Sequence, residues 1–83
     1  MSLELEILDQ LTGGDLLVAL VREAFDENER FLQAVKAMLN AGEVELIDSD
    51  GAVLPRWKWH FALENMNQQT WLSITAAGIR RIA

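Results

Sequence analysis

Residues 26–47 read DENERFLQAVKAMLNAGEVELI. Asp26 is suited to cap a helix, and Glu29 stands three residues on, where a capping-box acid reaches back to the cap's own N–H. Phe31, Leu32, Val35, Met38 and Leu39 then recur at the three-four spacing of one helical face. Gly42 follows Asn40-Ala41 and can take the left-handed conformation that stops a helix. Beyond it, Val44 and Leu46 alternate with Glu43 and Glu45, so the period changes from helical to extended over residues 43–47. The stretch predicts a capped amphipathic helix, a glycine stop and a strand, in direct succession.

Upstream, SLELEILDQL (2–11) places Leu3, Ile7, Leu8 and Leu11 on one side. Its early acids suit a helix N-terminus, and Thr12-Gly13-Gly14 breaks the helix. Asp15 can cap a second helix, Leu16 to Phe25, whose residues Leu16–Val21 are apolar all round. Such a helix is expected to be the most buried one. Asp26-Glu27-Asn28 forms the turn into the next helix, which gives a helix-turn-helix pair.

Downstream, Asp48-Ser49-Asp50-Gly51 is a turn signal, and Ala52 to Leu54 can return briefly as a strand. Pro55 belongs at an edge or a kink. From Arg56 to Glu64 the chain alternates, with Trp57, Trp59, Phe61 and Leu63 on one face. This predicts a strand paired with Gln69–Thr75 through the loop Asn65–Gln68. Glu64 would lie opposite Gln69 and Ala62 opposite Trp71, with Trp71 on the outer face. Thr75 caps a last helical turn, Ala76 to Ile82, in which Gly78 is a weak point. The expected core is Leu17, Leu20, Val21, Phe31, Val35, Leu39, Val44, Phe61, Leu72 and Ile74.

The chain has 83 residues, and 51% of them are hydrophobic, which is enough for one small domain over 1–83 with a true core. No apolar run approaches the roughly 20 residues that span a bilayer, and MSLELEILDQ lacks the basic segment of a secretory leader. Without cysteine there is no disulfide framework and no thiolate metal site. A cytoplasmic protein with no membrane association is the simplest expectation. The net charge is −6, unevenly spread. Residues 1–50 hold three cations against twelve acids, and residues 51–83 hold Arg56, Lys58, Arg80 and Arg81 against Glu64 alone. The first half repels nucleic acid, whereas the second offers a local basic surface.

Two segments, FLQAVKAMLNAGEVELID (31–48) and TWLSITAAGIRRI (70–82), resemble winged helix-turn-helix domains of bacterial transcriptional regulators. The first resembles the recognition helix, its glycine stop and the first wing strand. The second resembles the last wing strand and the closing turn of such domains. Together they cover 31 of the 83 residues, over a third of the chain. The resemblance implies an α+β fold of three helices and a small antiparallel sheet with a wing hairpin. It also implies DNA binding in a regulatory role.

Polar residues of the organising helix, Arg30, Gln33, Lys36 and Asn40, then become candidates for the DNA groove. Arg and Lys pair with guanine, and Gln or Asn with adenine. Any solvated helix face carries the same residue types. The wing would add Arg56, Lys58 and Trp71, since cations interleaved with aromatics suit phosphate contact and base stacking. An exposed Trp71 serves equally as a contact point for a protein, and an acidic winged helix used as a protein-interaction module is the alternative function. Arg80-Arg81 suits the carbonyls at a helix end.

Asp48–Gly51 resembles the opening of a calcium loop, but Trp59 stands where the closing glutamate belongs, so it reads as a turn. His60 is the only histidine and has no nucleophile at a productive spacing. Gly13-Gly14 lacks the lysine of a phosphate loop. The expectation is therefore a non-enzyme without metal or cofactor. Its oligomeric state is open between a monomer and a weak homodimer.

Overall fold

The computed structural model describes residues 2–23, 28–64 and 69–83. The Asp26 cap, the start of the turn after it and the Asn65–Gln68 loop lie outside these residues. Helix α1 spans Leu3–Leu11. Its cap is Ser2, whose hydroxyl accepts from Leu5 N–H at 3.2 Å. Ile7, Leu8 and Leu11 are buried, as their spacing dictates. Helix α3, Asn28–Asn40, buries Phe31, Ala34, Val35, Met38 and Leu39 on one face. It stops as the sequence predicts. Gly42 sits at φ +75, Gly42 N–H reaches Leu39 O at 3.1 Å and Glu43 N–H reaches Met38 O at 2.9 Å. These paired bonds are those of a left-handed glycine cap, and a Cβ at this φ would be strained. Strand β2, Val44–Ile47, follows at once.

The second predicted helix starts two residues later than its apolar run. Leu16–Leu17 is a two-residue strand, β1, and Val18–Glu23 is helical, as α2. Val18 and Val21 enter the core, while Leu20 is 56% exposed. The expectation that this is the most buried helix, with Leu20 inside, is corrected. Two residues are diverted to the sheet, and among the described residues Val18 and Val21 give α2 a single inward edge, while Ala24 and Phe25 lie outside them.

The larger correction concerns residues 56–64. They do not form a strand. Arg56–Lys58 is a 3-10 turn that runs into helix α4, Trp59–Glu64. Strand β3, Trp71–Ile74, pairs instead with β2, antiparallel, with Leu46 opposite Leu72 and Ile47 opposite Trp71. On its other side β3 pairs with β1, placing Leu16 opposite Leu72 and Leu17 opposite Trp71. With both edges of β3 occupied there is no ladder left for 56–64, so the predicted Glu64–Gln69 and Ala62–Trp71 pairs do not exist. The outcome is an α+β globule with five α-helices among the described residues. Its three-stranded antiparallel sheet has the order β1-β3-β2.

Alternation survives where the strand is real. Val44, Leu46 and Leu72 are buried, and Ile74 packs against the same cluster. Between β2 and β3, Asp48 closes the predicted turn, its carboxylate accepting from Asp50 and Ala52 N–H, both at 2.9 Å. Val53 then touches Ile47 in a single bridge, the remnant of the expected return strand. Among the predicted core residues, Phe61 joins Leu20 outside, at 60% exposure, because α4 turns Ala62 and Leu63 inward instead.

Helix α5, Ala76–Ile82, is fastened to the junction of α3 and β2. Thr75 hydroxyl accepts from Gly78 N–H at 3.2 Å and donates to Gly42 O at 2.6 Å. One side chain thus caps α5 and satisfies a carbonyl at the end of α3. Thr75→Ala is expected to cost about 1–2 kcal/mol in chemical denaturation, and Thr75→Ser to recover most of it. A Thr75→Ala protein as stable as the parent would remove this joint from the list of stabilising contacts.

Candidate functional site

The face of α3 opposite the core carries Arg30, Gln33, Lys36, Ala37 and Asn40, all exposed. Their three-four spacing follows from the buried set, because a helix that commits Phe31, Ala34, Val35 and Met38 inward has this strip left over. From residue 30 to residue 40 the strip is about 15 Å long at the usual helical rise. No acid lies between residues 30 and 40, but exposed Glu29 stands one turn before Gln33 on the same face. Arg30 and Gln33 also border, with Ser2, Leu3, Glu4 and Ala34, a shallow hollow of about 320 Å³.

Two further acids are Glu4 on α1, which borders the same hollow as Arg30 and Gln33, and Glu43, just past the end of α3. Arg81 binds both, its Nη1 donating to Glu4 Oε1 at 2.6 Å and to Glu43 Oε1 at 2.7 Å. The bonds to Glu4 first and Glu43 second raise the arginine's pKa above its ordinary value. A raised arginine pKa means that the contribution is complete throughout the neutral range and falls off as pH rises through the guanidinium's own titration. Arg81, expected to face helix-end carbonyls, instead ties Glu4 of α1 to Glu43 through one nitrogen and so gathers both carboxylates at a single point.

Arg56 and Lys58 fall elsewhere, on the 3-10 turn before α4, and both are exposed. The Arg56 guanidinium lies 5.8 Å from the centre of the Trp59 ring, and Lys58 Nζ lies 5.0 Å from that of Trp57. Both are cation–π distances. Trp59 is anchored by its indole N–H, which donates to Leu54 O at 3.2 Å. Lys58 borders a second hollow, of about 350 Å³, with Asp48, Leu54, Trp57, Phe61 and Ala62.

Trp71 is half-buried in the central strand, flanked by Leu17 and Ile47. The fully displayed tryptophan is Trp57, 78% exposed. The seven candidates thus separate into the α3 strip, the cationic turn and a sheet residue. The sequence reading places Phe61 in the core and Trp57 on the same apolar face, yet both stand at the surface. A spacing of four suits a strand face and a helical face alike, and the helical signal was Trp59, Ala62 and Leu63 at three-four spacing.

Among the described residues, no three His, Asp or Glu side chains gather as metal ligands, and no helix is long and apolar enough to cross a membrane. No family model matches the chain, and neither a curated protein nor a solved structure matches it significantly.

Proposed function

We propose that this chain is a winged-helix module that binds a nucleic-acid duplex, DNA in a regulatory role, with α3 laid in the major groove. One observation carries the reading: Gln33, Lys36 and Asn40 form an exposed strip of α3 that offers donors with no acid between them. The succession of α2, α3, glycine stop, β2 and an antiparallel β3 closed by a threonine-capped α5 supports the same reading. Lys36 and Arg30 serve guanine or phosphate, and Gln33 and Asn40 serve adenine. Arg56 and Lys58 anchor backbone phosphates, which fixes register without reading sequence.

A duplex titration at several salt concentrations tests this. Mixed-sequence duplex is expected to bind in low salt. Replacing Arg56 and Lys58 by Ala should weaken binding on every sequence and lower the log–log salt slope by about 0.9 per lost contact. Gln33→Ala or Asn40→Ala should relax preference between sites by about 1–3 kcal/mol. Absence of binding at roughly 100 µM duplex in low salt would end the proposal, since non-specific attraction is the least such a surface must show. The exposure of Trp57, with the net charge of −6, favours a second reading as a protein-contact module. Under that reading duplex binding is absent and Trp57→Ala abolishes capture of the partner.

A further inference from the structure

Residues 56–64, RWKWHFALE, form a pattern that is its own complement. Cations Arg56 and Lys58 stand at the start with Trp57 between them, Phe61 follows just past the middle, and Glu64 stands at the end. The fold makes this one continuous helical stretch, the 3-10 turn leading straight into α4. Ala62 and Leu63 are turned into the core, and Trp59 is tied to Leu54. Trp57 and Phe61, four residues apart, are left in solvent beside the 350 Å³ hollow. Large apolar side chains displayed on adjacent turns mark a surface that another molecule covers.

We propose that this face docks on the same face of a second copy of the chain, in a two-fold dimer with the two 56–64 segments antiparallel. A two-fold contact is isologous, so each residue that meets a second is met by it in return. Antiparallel apposition sets Trp57 against the partner's Phe61 twice over and brings Lys58 within a side chain's reach of the partner's Glu64 twice over. A parallel arrangement would set Lys58 against Lys58, so the signs of the charges select the orientation. Lys58 already rests over Trp57, which presents cation and ring together. Glu64 is bonded at 3.2 Å to His60 of its own helix through one oxygen and, being exposed, has the second to offer. Four partly exposed rings meeting this way remove on the order of 500 Å² of surface, which is small for a specific contact. The dimer is accordingly weak, half-dissociated at roughly tens of micromolar.

Sedimentation velocity over about 5–500 µM protein reads this directly. The expected result is a rise from the 9.4 kDa monomer toward twice that mass. Trp57→Ala and Phe61→Ala change exposed side chains and leave the core intact, and each should loosen the dimer about thirtyfold or more. Lys58→Glu and Glu64→Lys should each weaken it alone, whereas both together in one chain should restore it. A 9.4 kDa species at every concentration overturns the proposal. So does a dimer indifferent to Trp57→Ala, or a double charge reversal no better than the single ones.

Discussion

Phe31→Ala is expected to cost about 3–5 kcal/mol, out of the roughly 4–12 kcal/mol that a chain of this length possesses. Phe31 has no exposed surface and lies in one cluster with Ile7, Leu8 and Leu11 of α1. Its removal opens a cavity where α1 and α3 meet, and little in a three-strand sheet can collapse to refill it. The control is Phe61→Ala. Composition and hydropathy treat the two phenylalanines alike, yet Phe61 is largely in solvent, and its truncation should stay within about 0.5 kcal/mol. Urea denaturation of both variants separates them. Equal losses would return residues 56–64 to the core-facing strand that their alternation suggests.

Gly78→Ala carries the second large expectation. Alanine normally stabilises a helix interior over glycine by about 1 kcal/mol. Here the added Cβ would press into the backbone carbonyl oxygen of Glu43, and would lie 2.7 Å from Ile74 Cγ1 and 3.2 Å from Leu8 Cδ2. The isoleucine can adjust its rotamer, but the carbonyl has little freedom, because it accepts from Thr75 N–H at 3.0 Å and Thr75 fixes the start of α5. To admit the methyl, α5 must move off the sheet or that bond must break. Overpacking of this kind costs about 1–3 kcal/mol, which reverses the sign that helix propensity alone gives. A thermal melt shows the direction, and a gain in stability on Gly78→Ala would mean that α5 is not seated against Glu43.

Local chemistry explains which parts of this structure could be read from the sequence. Helix α3 and its stop are written in five apolar positions and one glycine, all within a single stretch of chain. The final helix is legible in Thr75 for the same reason. Strand β1 is not, because Leu16 and Leu17 belong to an apolar run with no period, and their conformation is decided by Leu72 and Trp71, far away in sequence. Residues 56–64 satisfy two periods at once. Trp57, Trp59, Phe61 and Leu63 alternate, but Trp59, Ala62 and Leu63 also fit one helical face, and that face is the one turned toward the core. What decides between the periods is the sheet, in which β3 has no free edge. The α3 strip was therefore visible from the sequence. Recruitment of Arg81 by Glu4 and Glu43 was not, since it joins three elements through side chains 38 and 77 residues apart.

The proposal that α3 faces a duplex is tested most directly by amide chemical-shift mapping during titration with duplex DNA. The expected result is that Gln33, Lys36, Ala37 and Asn40 shift together, with Arg56 and Lys58 following and the buried residues of α1 unmoved. Shifts confined to Trp57 and Phe61, or none along α3 at saturating duplex, would contradict it.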